Sequence, residues 1–359
     1  CLNDVGNDPG RFGTSSAGLH QANAERARAW PHTMLATSSH DTKRSEDVRA
    51  RIAVLSELPD LWKLHVARWT RFSRSKRRQI GDDPAPDRQD EDLLYQTLLG
   101  VWSPAEDLAA LTERLQAYVV KAAREAKRST SWIAPNPEYE KALGDFVGEL
   151  LADPQRSAFL KDFQVLAATV AFFGRINSLV QTVLKITAPG VPDFYQGTEL
   201  TALTLVDPDN RRRVDFDAAA RHLDVIERLQ GSPRGLLWEQ EGAASKLFVI
   251  RKLLQLRRDD PELFARGDYQ ALQIDGARKE HVFAFSRAHE GRSCVVVVPR
   301  WGAKLMDAVT GLPVGEQVWA DARINAPTMR MRDVFTDREV AIDGAVAVAS
   351  VLAEFPVAV

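Results

Sequence analysis

The sequence is poor in cysteine, in net charge and in long apolar runs, and each shortage excludes a class of protein. Two cysteines, Cys1 and Cys294, among 359 residues cannot build a disulfide framework, so a reducing, cytoplasmic location is expected. A net charge of −2 gives no general attraction to nucleic acid or to an anionic membrane. No uninterrupted apolar run reaches the roughly 20 residues of a membrane span. The low net charge therefore argues against a nucleic-acid partner, and the short apolar runs argue against a membrane-spanning helix.

Metal-ligand patterns and a normal start are also missing. The seven histidines show no ligand spacing, and we expect no metal. The chain opens on Cys1-Leu2-Asn3-Asp4, which is neither a signal peptide nor an initiator sequence. We therefore expect the chain to be part of a longer protein.

The material that is present is that of a globular protein with a predominantly helical middle. Apolar residues make up 45% and charged residues 27%, enough for a large core and for two or three domains at this length. Apolar residues recur at helical spacing through most of residues 56–182. Ser103-Pro104, Asn136-Pro137 and Asp153-Pro154 each resemble a helix start with a capping residue and proline at the first position.

Two short apolar runs predict buried strands on either side of this helical stretch. Residues 33–37 form the first, and Leu184–Thr187 form the second. The second runs into an irregular loop rich in proline and glycine that ends at Gly197. Residues 246–258 then predict an amphipathic helix.

Beyond about residue 265 the apolar period changes from helical to two. Residues 282–287 alternate, and a polar turn separates them from the β-branched run Cys294–Val298, which predicts a hairpin. Further strands are predicted around Val318-Trp319, Val334-Phe335 and Ala345–Ser350. The C-terminal part is therefore expected to be an antiparallel β domain.

Reactive side chains follow the first predicted strand. His40, Asp41, Lys43 and Arg44 bring an imidazole, a carboxylate and two cations to its end. In a parallel α/β barrel, catalytic residues lie at such strand ends. A capping and hydrogen-bonding cluster at the start of a helix is the alternative interpretation.

Three other groups are weaker candidates for binding. Asp207, Asp209, Asn210 and Arg211 could form a calcium-like oxygen cluster or a sugar site, or a turn held by arginine; the spacing is not that of an EF-hand. Trp132 could stack on a sugar, or pack in the interior. The third group is Tyr195, Gln196 and Glu199 in the loop after the second strand, where loop packing is the alternative.

Six contiguous segments carry a resemblance to a known family. They are HDTKRSEDVRAR (40–51), DLLYQTLLGVW (92–102), VVKAAREAKRSTSWIAPNPEYE (119–140), ITAPGVPDFYQGTEL (186–200), LVDPDNRRRVDF (205–216) and LLQLRRDDPELFARGDY (253–269). Together they resemble the maltooligosyl trehalose synthases of the α-amylase superfamily, glycoside hydrolase family 13. The first resembles the superfamily's fourth conserved region, where a His-Asp pair closes the seventh barrel strand.

The resemblance implies a multidomain α/β and all-β fold. Residues 1–55 would surround strand 7 of a (β/α)8 barrel, and 56–182 would form a large helical insertion. Residues 183–264 would supply strand 8 and the last helix, and 265–359 a C-terminal β-sandwich. The missing N-terminal part of the same protein would then be this chain's partner.

The resemblance also implies an activity on maltooligosaccharides. The parent enzyme would isomerise the reducing-end α-1,4 bond to an α,α-1,1 bond by retaining transfer through a covalent glycosyl-enzyme, without a cofactor. Asp41 matches the carboxylate that stabilises the transition state, and His40 matches its sugar-binding neighbour. Lys43, Arg44, Tyr195, Gln196, Glu199 and Trp132 are the other expected substrate contacts.

The nucleophile and the acid/base have no matching motif in this sequence. Both would come from earlier barrel strands, so the isolated chain is expected to be inactive. An α-amylase-type hydrolase, a 4-α-glucanotransferase and a non-catalytic glucan-binding fragment are the alternatives.

Overall fold

The computed structural model describes residues 8, 10–229, 231–237 and 243–359. Cys1 and the opening residues, on which the expectation about the start of the chain rests, lie outside the described residues. Cys294 is buried and unbridged. Burial raises the pKa of its thiol to about 11, so this cysteine is a packing residue rather than a nucleophile.

The first elements confirm a strand, loop and helix but correct the burial of the strand. They are helix α1 (Ser16–Ala29), strand β1 (Met34–Ala36) and helix α2 (Glu46–Ala53). The strand was predicted to be buried, yet Met34 is 64% exposed. Within the described residues a single strand pairs with β1, so much of its surface stays open to solvent.

Helices occupy most of residues 56–182, as the periodicity predicts. The elements are α3 (Pro59–Phe72), β2 (Arg78–Ile80), β3 (Asp83–Ala85), α4 (Arg88–Val101), α5 (Leu108–Ala126), α6 (Pro137–Leu151) and α7 (Ala158–Thr187).

One of the three predicted helix starts is confirmed, and two were placed too early. Asn136 caps α6 by accepting from the Tyr139 amide at 3.1 Å. Helix α5 is instead capped by Asp107 and α7 by Ser157. At the earlier position Asp153 has a φ of 50°, outside the extended region that a capping residue needs.

The second predicted strand is wrong, because Leu184–Thr187 form the last turn of α7. The Ala188 amide bonds the Leu184 carbonyl at 2.9 Å, which closes that turn. A short apolar run has no periodicity that separates a strand from a buried helix segment. The helix is continuous across residue 182, so the domain boundary predicted there falls inside it.

Helix α7 has the length and the composition of a membrane span, but 56% of its apolar stretch is buried inside the protein. Phe163, Val170, Leu179 and Ile186 are almost inaccessible to solvent. The core helix of a globular protein has the same properties, so this helix is weak evidence for a membrane.

The strand after α7 is β4 (Val191–Asp193), which pairs with β1 in parallel. Met34 lies opposite Val191, and Ala36 lies opposite Asp193. Both strands therefore end at the same edge of this small sheet.

Helices and antiparallel sheets complete the chain. The elements are α8 (Phe216–Glu227), α9 (Ala243–Asp259), α10 (Pro261–Arg266), β5 (Asp268–Ala271), β6 (Ile274–Asp275), β7 (Val282–His289), β8 (Arg292–Pro299), α11 (Gly302–Leu305), α12 (Glu316–Trp319), β9 (Arg323–Asn325), β10 (Met329–Arg332), β11 (Glu339–Ile342), β12 (Ala345–Ala347) and α13 (Val348–Val351).

The strands of the C-terminal part form three sheets, in the orders β5-β7-β8, β12-β9-β6 and β10-β11. The predicted hairpin is confirmed as β7 and β8, and both Glu290 and Gly291 in its turn have positive φ. Packing of the sheets as a sandwich stays a prediction.

Three predicted strands in this part need correction. Val318-Trp319 lies in a short helix, where the Trp319 indole donates to the Pro313 carbonyl at 2.8 Å inside the core. Val334-Phe335 lies in a turn, where the Val334 amide donates a hydrogen bond to the carbonyl of Val359, the C-terminal residue. Only the first half of Ala345–Ser350 is extended. Segments of two to six residues carry too little pattern to separate these conformations.

One contiguous apolar core joins the helices to the C-terminal sheets. It extends from Val48 on α2, through α7, to Phe283, Phe285 and Val359. A second core lies within the C-terminal part around Trp319 and Ile324. Both the segment that follows β1 and the C-terminal sheets therefore pack against helix α7.

Candidate functional site

The parallel register of β1 and β4 brings together two segments that contain five of the candidate residues: His40, Asp41, Tyr195, Gln196 and Glu199. Residues 37–42 follow β1, and residues 194–202 follow β4. We call these the first site loop and the second site loop. Because parallel strands place their carboxyl ends at one edge, both loops leave the sheet side by side.

The first site loop is shaped by its own hydroxyl groups. The Thr42 hydroxyl donates to the Ser39 carbonyl at 2.9 Å, and the Asp41 amide donates to the Ser39 hydroxyl at 3.2 Å. The side chains of His40 and Asp41 are exposed at the tip. Within the part of the chain that the structure describes, neither side chain is held by a hydrogen bond or an ion pair.

Asn210 connects the first site loop to the segment after the second. Its side-chain amide donates to the His40 carbonyl at 2.9 Å and to the Ser39 carbonyl at 3.3 Å. The Tyr195 hydroxyl donates to the Asn210 carbonyl at 3.3 Å. The sequence placed Asn210 in a possible oxygen cluster, and its link to His40 was missed because no local pattern records it.

A cavity of about 590 Å³ opens between the two site loops, which is the size of a small-ligand pocket. Tyr195, Gln196 and Glu199 line it, and the first site loop contributes three hydroxyl side chains, Ser38, Ser39 and Thr42. His40 and Asp41 adjoin these lining residues in the chain but do not themselves line the cavity. Hydroxyl, amide and carboxylate groups suit a polyhydroxylated ligand.

Lys43 and Arg44 face the helical region rather than the cavity. The Lys43 ammonium lies 3.0 Å from the Glu125 carboxylate on α5. Arg44 is 8% exposed, donates to the Thr97 hydroxyl at 3.0 Å and lies over the Tyr118 ring. Their sugar-binding role stays a prediction. For Arg44, that role would require the sugar to reach a buried side chain.

Trp132 lies in the connection between α5 and α6 and is 56% exposed. The Arg124 guanidinium lies 4.8 Å from its ring centroid and pairs with Glu140 at 2.6 Å. The ring is therefore a surface group supported on one side by a cation. The cavity between the site loops does not include it.

The acidic turn before α8 is held by arginine. Arg114 bonds both carboxylate oxygens of Asp209, at 3.0 and 2.9 Å, and Arg211 pairs with Asp207 at 2.7 Å. The Leu205 amide also donates to Asp209. The arginine-held turn, one of the three interpretations of this sequence, is therefore observed. Among the described residues, no group of acidic, histidine or cysteine side chains has the arrangement of a metal site.

Four charged side chains are buried beneath the two site loops: Glu46, Asp47, Lys185 and Lys246. Each is at most 4% exposed. The Lys246 ammonium lies 2.7 Å from Glu46 and 2.8 Å from Asp47, and the Lys185 ammonium lies 3.3 Å from Glu46. We call these residues the buried ionic cluster.

Glu46 and Lys246 stabilise each other's charge, whereas burial and the charge of Lys246 lower the pKa of Lys185 despite its pairing with Glu46. Burial alone would raise the pKa of Glu46, but the charges of Lys246 and Lys185 outweigh it and hold that pKa below the ordinary value. Burial opposes the charge of Lys246 too, yet Asp47 and Glu46 raise its pKa. Glu46 and Lys246 therefore form a well-matched ion pair inside the protein.

Sequence reasoning missed this cluster. Glu46 and Asp47 lie in the first turn of α2, where acidic residues are favourable even without a buried partner. A signal was available, since Lys185 stands between Leu184 and Ile186 in an apolar run, where a charge needs a partner. The identity of the partner depends on the fold alone.

Comparison with known proteins gives one consistent result. No family model matches the chain. A curated protein of Mycobacterium tuberculosis, named a maltooligosyl trehalose synthase, is 37% identical over 325 residues, which cover 89% of this chain. The solved maltooligosyltrehalose synthase of Arthrobacter ramosus superposes on 99% of the chain with a TM-score of 0.82 and 35% identity.

A solved Sulfolobus tokodaii structure, titled a hypothetical maltooligosyl trehalose synthase, gives a TM-score of 0.76 and 30% identity over 99% of the chain. All these relatives are longer: the chain spans 38% of the curated protein and 42% of each of the two solved chains. The similarity extends over almost all of the chain, in both sequence and structure. The chain belongs to the maltooligosyl trehalose synthase family, of whose members it spans about two fifths.

Proposed function

We propose that the protein to which this chain belongs converts maltooligosaccharides into maltooligosyl trehaloses. The observation that carries the proposal is the parallel pairing of β1 with β4. This pairing puts the His40-Asp41 motif and the loop of Tyr195, Gln196 and Glu199 beside one cavity, whose wall carries polar groups among apolar ones. The names of the relatives support the same activity.

In this proposal β1 and β4 are the seventh and eighth strands of an α-amylase-type (β/α)8 barrel. Two strands do not close such a barrel, so the remaining strands belong to the rest of the parent protein. The exposed Met34 on β1 and Val191 on β4 are surfaces that neighbouring strands would cover. The same part would supply the nucleophilic Asp and the acid/base Glu, and the 359 residues alone would not turn over substrate.

The reaction exchanges one glycosidic bond for another. The nucleophile attacks the anomeric carbon next to the reducing-end glucose, while the acid gives its proton to the departing 4-oxygen. The released glucose then attacks the glycosyl-enzyme through its own anomeric hydroxyl, and the same acid/base takes that proton. An α,α-1,1 bond forms, and the atoms balance without water or a cofactor.

Asp41 has the role of stabilising positive charge that develops on the transferred sugar. A carboxylate in a site closed to water interacts strongly with an oxocarbenium-like centre, and two oxygens can fix adjacent sugar hydroxyls. The exposed Asp41 side chain is available for that contact, and His40 beside it can bond the same sugar. The site would also have to exclude water, because water at the glycosyl-enzyme gives hydrolysis.

The remaining parts of the proposal concern compartment and substrate contacts. We place the protein in the cytoplasm, as its low cysteine content suggests. Lys43, Arg44 and Trp132 belong to the proposed substrate contacts, with the Lys43–Glu125 pair as the link to the helical region.

The test follows reducing ends during incubation of the full-length protein with maltopentaose. Isomerisation removes a reducing end from each molecule converted and yields a non-reducing product of the same mass. Release of glucose and maltotetraose without that product would instead identify a hydrolase, and longer and shorter maltooligosaccharides would identify a 4-α-glucanotransferase. Robust turnover by the 359 residues alone would contradict the proposed inactivity of the isolated chain.

A further inference from the structure

We propose that Lys185, together with Glu46, is a positioning residue that fixes the two site loops relative to each other. The inference rests on the proposed function, because it assigns the two residues a part in closing that site to water. Neither side chain lines the cavity between the loops. Their effect on the reaction would therefore be exerted through the loops.

Lys185 and Glu46 hold the beginning of the first site loop. The Lys185 ammonium donates to the Thr37 hydroxyl at 2.9 Å, and the Thr37 hydroxyl donates to the Glu46 carboxylate. Thr37 is the first residue after β1 and stands three positions before His40. The loop that carries the proposed sugar-binding pair therefore leaves its strand at a point fixed by two buried charges.

Lys185 also contacts the beginning of the second site loop. Its ammonium lies 3.9 Å from the centroid of the Phe194 ring, within the range of a cation–π contact. Phe194 follows β4 directly and precedes Tyr195 in the cavity wall. A single side chain of α7 thus bridges the exits of both strands.

The rest of the buried ionic cluster holds the far end of the second site loop. The Asp47 carboxylate accepts from the Ala202 amide at 2.7 Å and from the Ser178 hydroxyl of α7. The Lys246 ammonium donates to the Leu200 carbonyl at 3.4 Å. Both ends of the second loop are therefore attached to the charges that hold the first.

Stability alone does not account for so many buried charges. Desolvating an ion pair offsets much of its attraction, and apolar residues of similar volume are often as stabilising. The two carboxylates and two ammonium groups of the cluster carry no net charge. Each of their hydrogen bonds nevertheless joins one donor to one acceptor in a fixed direction. Directed bonds set positions, which apolar packing does less well.

The expected effect on the reaction is on the fate of the glycosyl-enzyme. Released glucose must be held in place until it attacks, and misplacement by about 1 Å can reduce a positioned transfer up to about 10²-fold. Water needs no such positioning. Displaced loops should therefore increase hydrolysis relative to isomerisation. This ratio does not depend on the amount of folded enzyme, so a merely structural role would not change it.

The experiment compares variants of the full-length protein. E46Q/K185M removes both charges while keeping the volumes close to those of the native residues. T37V removes only the hydroxyl that both charged groups contact. It is the alternative test if the double variant does not fold. The matched control is R77M/E91Q, which removes a different ion pair. Arg77 lies 2.7 Å from the buried carboxylate of Glu91, which is on α4 and away from both site loops.

With maltopentaose as substrate, the ratio of released glucose to maltooligosyl trehalose should rise on the order of tenfold in E46Q/K185M, and in the same direction in T37V. R77M/E91Q should keep the ratio of the native protein. An unchanged ratio in a folded E46Q/K185M or T37V protein would overturn the inference, as would an equal rise in the control. Failure of the native protein to form any maltooligosyl trehalose would instead refute the proposed function.

Discussion

The Lys43 ammonium lies 3.0 Å from the Glu125 carboxylate, so the residue that follows the first site loop is joined to helix α5 of the helical region. Both side chains are about one third exposed. At this exposure an ion pair contributes little to stability, about 0–1 kcal/mol. Its effect should instead be to restrict a long, flexible side chain that is proposed to meet the sugar.

E125Q should therefore raise the KM for maltopentaose with little change in melting temperature. Ordering one long side chain on binding costs about 0.5–1.5 kcal/mol, which corresponds to a rise in KM of roughly two- to tenfold. Steady-state kinetics of the full-length protein measures this. E113Q, at an exposed position on the same helix, is the control and should leave KM unchanged. A KM for E125Q equal to that of E113Q would mean that the pair does not orient Lys43.

D41N should remove most activity and leave stability intact. The carboxylate is exposed, so folding does not depend on its charge, whereas its proposed contact with developing positive charge is made in the transition state. We expect kcat to fall by about 10²–10³-fold, the usual effect of losing one electrostatic contact in an active site. D82N, in an exposed turn, is the control. Near-native kcat in D41N would remove Asp41 from the mechanism.

N210D should disturb the first site loop without a change of size. The carboxylate cannot donate to the His40 carbonyl, which now lies 2.9 Å from the amide nitrogen, and two oxygens would face each other. We expect a loss of about 1–3 kcal/mol in unfolding free energy and a fall in kcat. Urea unfolding and initial rates measure the two effects. A stable N210D protein with native kcat would show that this bond does not hold His40 in place.

The stability that Glu46 provides should depend on pH with a definite sign. Its folded pKa is below the ordinary value of 4.5, so its contribution is complete above pH 4.5 and is lost as the pH falls through the folded pKa. E46Q leaves the buried Lys185 ammonium without an ionic partner, while Lys246 keeps Asp47, and should cost about 3–5 kcal/mol at pH 7. The difference from the native chain should shrink as the pH falls below 4.5. Urea unfolding at pH 7, 5, 4 and 3 tests this, and a difference constant over that range would contradict it.

G190A should separate β4 from β1. Gly190 has a φ of 129°, and an added Cβ would lie 2.8 Å from the Thr33 carbonyl oxygen and 2.7 Å from Leu35. Positive φ alone costs a non-glycine residue about 1–3 kcal/mol, and the collisions add to it. Gly231 also has a positive φ but open space around it, so G231A is the matched control. Thermal unfolding should show a larger loss for G190A, and equal losses would mean that the close approach of the strands is not limiting.

The sequence by itself determined the features that depend on neighbouring residues. The Asn136-Pro137 pair predicts a helix start that the structure contains, because capping is a contact within one turn. The change to a period of two predicts the hairpin of β7 and β8, because alternation follows from strand geometry. The motif around His40 and Asp41 and its family resemblance were also readable, because they are contiguous segments.

Local pattern failed where two conformations suit the same residues. Leu184–Thr187 is equally apolar as a strand or as the end of a helix, and packing of α7 through the core selected the helix. The strand begins only after Gly190, where the chain can turn and approach β1. Burial of β1 was mispredicted for a related reason, since it depends on which elements pack beside the strand.

Tertiary structure alone decided the arrangement around the candidate site. Glu46 and Lys185 are 139 residues apart in the chain, and His40 and Asn210 are 170 residues apart. No local signal pairs either set. A charge or amide enters the interior only when the fold supplies a partner that offsets its desolvation. The sequence therefore named the residues that face the substrate in the proposed reaction. Only the fold revealed the buried charges beneath them, because the stability of a buried charge depends on groups that are distant in the chain.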